Sequence, residues 1–200
     1  MDISAAKVKE LRELTGAGVL DCRRALEANQ GDLEKAVASL REKGLAAAAK
    51  RADRQTPEGM VELYSHGRGR VGVMVEVNCE TDFVARTEEF RKFAHELALH
   101  IAASAPRYVD VGDIPAEVAE VERTKARHLA REEGKPESLW DRIAEGRLEK
   151  FYQEACLLRQ PYIRDEKTTV AQLLQQTIAS MGENVVIRRF ARWEVGETTG

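Results

Sequence analysis

Residues 60–79, MVELYSHGRGRVGVMVEVNC, decide the fold. Val71, Val73, Val75 and Val77 fall on one face and Gly72, Met74, Glu76 and Asn78 on the other. That period of two over eight residues predicts a strand. Met60, Glu62, Tyr64 and His66 alternate in the same way with Val61, Leu63 and Ser65. The glycine-rich segment between the two runs reads as a hairpin turn, so the sheet is mainly antiparallel. Near the C-terminus, Val185, Ile187, Ala191, Trp193 and Val195 share a face and predict a third strand. Everything else of length is helical in period. The chain is therefore α+β: a small N-terminal three-helix domain, then a core of a three-stranded, mainly antiparallel sheet packed with helices.

The N-terminal helices are short. Val8, Leu11 and Leu14 mark one face of the first, which Gly16 and Gly18 end. Cys22, Ala25 and Leu26 repeat at three and four, and Asn29-Gln30-Gly31 closes the second helix. Asp32 is placed to N-cap the third. Its stripe is Leu33, Ala36, Val37 and Leu40, and Gly44 stands where a C-terminal glycine belongs. Residues 1–44 thus form a unit with its own core. Residues 45–59, Ala-rich and then basic, read as a partly helical linker in which Lys50, Arg51 and Arg54 make a solvated face. Residues 60–200 form the core domain.

In that domain, Phe90, Phe93, Ala94, Leu97, Ala98 and Ile101 stripe a long helix that Pro106 ends. Residues 116–133 predict a charged, peripheral helix with Val118, Val121, Lys125 and Leu129 inward. Ala144, Leu148, Phe151, Ala155 and Leu158 align on a helix spanning roughly 137–158. A loop, LLRQPYIRDEK, leads to a last helix striped by Val170, Leu173, Leu174, Ile178 and Met181 and stopped by Gly182.

Composition narrows the function. The 200 residues are 43% hydrophobic and 32% charged, which excludes disorder. Lys plus Arg number 31 and Asp plus Glu 34, a net charge of −3, so no direct nucleic-acid contact is expected. Three widely spaced cysteines, Cys22, Cys79 and Cys156, make neither a CxxC pair nor a disulfide scaffold. No apolar run approaches a membrane span and no signal-like segment opens the chain, so a cytoplasmic protein without membrane partners is expected.

The chemical motifs are weak. Gly67-Arg68-Gly69-Arg70-Val71-Gly72 matches GxGxxG, but a strand follows where the nucleotide-binding version requires a helix. His95 and His100 stand five apart on a helix and do not converge on one ion. HExxH and GxSxG are missing. No catalytic residue, metal ligand or cofactor site is assigned, and no enzyme activity. Two other classes compete with a plain binding role. An adaptor built on the three-helix unit requires residues 1–44 to bind alone. A nucleotide-dependent enzyme using the glycine turn requires the isolated chain to bind nucleotide.

Thr81-Asp82-Phe83-Val84, between a strand and a long helix, stands apart. Thr81 can cap a short turn, and Thr87 can cap the main helix with Glu88 and Glu89 in its first turn. A continuous helix puts Phe83, seven before Phe90, in the core. A helix that restarts at Thr87 frees it. Periodicity alone favours the core for Phe83 without deciding between the two.

Two segments, LRELTGAGVLDCRRAL (11–26) and EVNCETDFVAR (76–86), resemble the signatures of the elongation factor Ts family. YSHG (64–67), AEGR (144–147), QPYI (160–163) and GENVVIRR (182–189) are similar to it as well, so the resemblance covers nearly the whole chain. It implies a guanine nucleotide exchange factor for the translational GTPase elongation factor Tu, acting in polypeptide elongation without covalent chemistry. It implies a ubiquitin-associated-like fold for the three-helix unit. It also implies that Asp82 and Phe83, flanked by Thr81 and Val84, enter the GTPase near its magnesium and phosphate site.

Further contacts carry over from the resemblance. Arg12, Val19, Leu20 and Arg23 match the docking surface of the small domain, with Val19-Leu20 standing where the family has two methionines and Arg23 where it has lysine. Met181 and Gly182 match a second contact near Phe83, and His66 and Ile163 match contacts to the far domain of the GTPase. Longer members carry two core subdomains. This chain has one, which implies a homodimer whose second core replaces the missing one.

Overall fold

The computed structural model describes residues 3–198. It is mixed α and β, with a three-stranded antiparallel sheet and helices packed against it. The helices are α1 (Ala5–Thr15), α2 (Val19–Ala28) and α3 (Leu33–Ala49), then α4 (Asp82–Ala85), α5 (Glu88–Ser104), α6 (Ala116–Glu132), α7 (Trp140–Ala155) and α8 (Val170–Met181). The strands are β1 (Glu58–His66), β2 (Val71–Cys79), β3 (Pro161–Tyr162), β4 (Asp165–Thr169) and β5 (Val185–Glu194). The sheet has the order β1-β2-β5. The chain divides into two compact units, residues 1–62, 75–96 and 172–188 in one, and residues 63–74, 97–171 and 189–200 in the other.

In the first unit, α1, α2 and α3 close over Val8, Leu11, Cys22, Ala25, Leu26, Ala36 and Leu40. Asp32 caps α3 as expected, accepting the Lys35 N–H at 3.0 Å. Leu14 does not join this core and is exposed. Gly44 does not end α3, which runs on to Ala49. A Cβ at Gly44 would stand 3.1 Å from the Ala179 Cβ, so the glycine serves close helix packing and not termination. Val75, Val77, Cys79, Phe90, Phe93, Ala94, Ile178, Val185 and Ile187 are buried in the same unit.

In the second unit, Gly67, Arg68 and Gly69 all take positive φ (59°, 59° and 85°) in the turn between β1 and β2. That is hairpin chemistry, as the strand after it requires. The loop after α7 holds an extra two-stranded ladder, β3 with β4, that periodicity did not show. The pair α6–α7 buries Ala126, Ala130, Ala144 and Leu148. This corrects the expected inner face of α6: Val121 is 50% exposed, and Leu129 is also open to solvent. The small alanine face packs instead, because it lets the helices come close enough for Arg123–Glu145, Arg127–Asp141 and Arg147–Glu133 ion pairs at 3.3, 2.8 and 2.7 Å.

The expected face of the last strand is also corrected. Val185 and Ile187 turn inward, but Arg188 and Arg189 are both exposed, and burial no longer alternates beyond them. Arg192 is sheltered, bound to the Ala102 carbonyl (3.4 Å), Glu194 and Glu197, while Trp193 is 61% exposed and Val195 is also outside.

Candidate partner-binding site

Ten of the twelve expected contact residues lie in the first unit. On α1 and α2, Arg12 is exposed in the last turn, and Val19 and Leu20 open α2. Burial of Cys22, Ala25 and Leu26 turns the opposite side of α2 inward, which leaves Leu20 69% exposed and Val19 open beside it. Arg23 pairs with Glu27 at 3.0 Å one turn on.

Residues 81–84 are built as an N-capped turn. Thr81 is extended, and its hydroxyl accepts the Val84 N–H at 3.4 Å. A cap of this kind contributes about 1 kcal/mol. Arg86 is the C-cap of α4, its N–H bonded to the Asp82 carbonyl, and Thr87 caps α5 by accepting the Phe90 N–H at 3.2 Å. Asp82 pairs with Arg86 at 2.9 Å. Phe83 is 79% exposed, the most open large hydrophobic side chain among the described residues. Cys79 donates its thiol to the Thr81 carbonyl at 3.2 Å. Burial, reinforced by the Glu183 charge, pushes that thiol up to about 11, so it stays protonated beneath the turn.

Met181 ends α8, and Gly182 follows it in an exposed turn. Three segments meet here. The Ser180 hydroxyl is shared between the Glu89 carboxylate (2.5 Å) and the Gly16 carbonyl (3.3 Å), which ties α8 to the α1–α2 turn. Glu183 accepts the Thr81 N–H at 3.1 Å and the Thr81 hydroxyl at 2.6 Å. Glu80 accepts the Asn184 N–H at 2.6 Å. Sequence reasoning gave Glu80, Ser180, Glu183 and Asn184 no role, because their partners lie up to 164 residues away.

His66 and Ile163 lie in the second unit. His66 is exposed and its Nδ1 meets the Tyr64 hydroxyl at 3.0 Å. Ile163 is partly exposed and its N–H reaches Nδ1 of the buried His100 at 3.4 Å. Gln160 donates its amide to the Ser104 and Glu154 carbonyls (3.3 and 2.7 Å), so its oxygen faces His100 Nε2 at 2.8 Å. His100 is thereby the Nε2–H tautomer. Burial holds its pKa below the usual histidine value.

Among the described residues, no group of three or more His, Cys, Asp or Glu is placed to hold a metal ion. No helix among them is long and apolar enough to cross a membrane. The arrangement is one of exposed side chains on braced turns.

The family model described as elongation factor TS matches residues 3–197. The chain belongs to the elongation factor Ts family. Three relatives carry the name elongation factor Ts. That of Caldanaerobacter subterraneus subsp. tengcongensis is 62% identical, with 98% of each chain covered. That of Thermoanaerobacter sp. strain X514 is 58% identical over 98% of this chain and 96% of its own. That of Carboxydothermus hydrogenoformans is 57% identical over 98% and 90%. The family resemblance read from the two signatures therefore holds along the whole chain, and it places the protein among the translation elongation factors.

Proposed function

We propose that the chain is a guanine nucleotide exchange factor for elongation factor Tu. It binds the GDP-loaded GTPase, loosens GDP by disturbing the magnesium and phosphate site, and leaves an empty site for GTP to enter by mass action. The observation that carries this reading is Phe83, an aromatic ring held out in solvent on a capped turn beside a carboxylate. Aromatic side chains, Phe among them, are enriched in the cores of protein interfaces.

The mechanism is linkage. A protein that prefers the nucleotide-free GTPase weakens nucleotide binding by the factor with which nucleotide weakens its own. Shifting the groups that support magnesium removes the positive charge that holds the phosphates. Asp82 brings a negative charge to the same place and Phe83 brings bulk. Val19 and Leu20 supply apolar docking area, with Arg12 and Arg23 at its rim. Met181 and Gly182 add a second contact beside Phe83. No covalent bond is made or broken on this chain.

The reading includes a homodimer. Leu63 (70% exposed), Met74 and Trp193 line a groove of about 320 Å³ on the outer face of the sheet in the second unit. Apolar side chains gathered on one sheet face fit a self-complementary contact with a second copy. His66 and Ile163 of one copy and Phe83 of the other then serve one GTPase.

The test is to mix the protein with GDP-loaded elongation factor Tu and separate complexes by size. A binary complex that has lost its GDP is expected. A complex that elutes with its GDP retained contradicts exchange and favours the adaptor role.

A further inference from the structure

We infer that Glu183 is a positioning residue for Phe83, the anchor of one half of a reciprocal clamp between two turns; this rests on the exchange reading above. The turn carrying Phe83 has little of its own to fix it. Helix α4 is four residues long and none of them is buried. None of its side chains is fully buried, and hydrogen bonds at Thr81 tie it to a distant segment of the chain.

Every polar group of Thr81 is used. Its N–H and hydroxyl both go to the Glu183 carboxylate, at 3.1 and 2.6 Å. Its carbonyl accepts the Cys79 thiol and the Ala85 N–H at 3.2 and 3.3 Å. Because the hydroxyl hydrogen points to Glu183, an oxygen lone pair is left facing the Val84 N–H, the capping contact of α4 at 3.4 Å. Glu183 therefore selects the hydroxyl rotamer that starts the turn on which Phe83 stands.

The exchange is mutual. Glu80, just before Thr81, accepts the Asn184 N–H at 2.6 Å, just after Glu183. Each turn lends a carboxylate to the other's backbone amide. Arg54 donates to Glu80 at 3.3 Å, and the Asn184 amide donates to the Ala52 and Arg54 carbonyls at 3.3 and 2.9 Å. The segment that follows α3 is thus bound into the same network. Phe83 and the Met181-Gly182 turn are held at one spacing, which an anchor needs if its binding energy is to displace groups in the partner instead of ordering its own loop.

The test measures release of labelled GDP from elongation factor Tu over a range of Tu·GDP concentrations. The variants are Glu183→Ala, Phe83→Ala and the double variant, each checked for folding by thermal unfolding. E183A is expected to lower the maximal exchange rate about tenfold while changing the half-saturating concentration less than about twofold, since the docking residues on α1 and α2 are untouched. In the F83A background the same change is expected to cost less than about twofold, because its effect passes through Phe83. Should E183A not fold, Glu183→Gln keeps one acceptor for the Thr81 N–H and is expected to lose about threefold. An active E183A or E183Q protein at the wild-type rate, beside a crippled F83A, overturns the clamp and leaves the exchange reading standing. Full additivity of E183A and F83A overturns it too. A folded wild-type protein that releases no GDP overturns the exchange reading, and the clamp's role with it.

Discussion

Phe83 and Phe90 stand seven residues apart, two turns of an unbroken helix, yet Phe83 is 79% exposed and Phe90 is fully buried. The helix is not unbroken. Arg86 ends α4 and Thr87 starts α5 afresh, so the two rings lose their common phase. The same side chain is spent in opposite ways. Phe90→Ala should cost about 3–5 kcal/mol of stability, as for a buried aromatic, while Phe83→Ala should leave the unfolding free energy within about 0.5 kcal/mol of wild type. Comparable losses in urea unfolding would contradict the break.

Gly59, in β1, takes φ +147°, and a Cβ there would stand 2.2 Å from the Val77 carbonyl oxygen across the hairpin. Backbone cannot yield as a side-chain tip can. Gly59→Ala should destabilise the protein by about 3 kcal/mol, through strain and a forced shift of the strand pair. A thermal scan showing an unchanged midpoint would contradict this.

His100 gives the fold an acid limit. Burial holds it neutral, with Gln160 on Nε2 and the Ile163 N–H on Nδ1. Below its ordinary value of 6.5 the unfolded chain takes up a proton that the folded chain refuses. More protons bound in the unfolded state means that stability falls as pH falls through that window. Unfolding free energy measured between pH 7.5 and roughly pH 5 should drop more steeply for the wild type than for His100→Gln. Parallel slopes would show that another group governs the acid limb.

Trp193 tests the dimer. A Trp193→Lys change places a charge in the groove with Leu63 and Met74. Sedimentation at micromolar concentration should show a dimer for the wild type and a monomer for the variant, with no loss of helix by circular dichroism. A monomeric wild type that exchanges nucleotide at full rate would contradict the pairing.

The fold was legible where one side of an element is buried and the period is clean. The valines of β2, the stripe of α5 and the Asp32 cap could be read in this way. Reading failed where something non-local decides. Gly44 looks like a stop signal, but Ala179 needs the space. The regular alternation of β5 stops at Arg188-Arg189, so period two groups the exposed Trp193 with the buried Val185 and Ile187. The thin apolar stripe of α6 lost to an alanine face that permits close packing and ion pairs. For the site, Phe83 could be named from the family signature alone. Its support could not, since Thr81 and Glu183 are 102 residues apart and a scattered glutamate has no periodic signal.

The most direct measurement is the rate of labelled GDP release from elongation factor Tu with catalytic amounts of this protein and of its Phe83→Ala variant. The account predicts strong acceleration by the wild type and a loss equivalent to about 2 kcal/mol or more, roughly thirtyfold, in a variant that folds normally. Equal acceleration by the two proteins would contradict the claim that Phe83 is the wedge.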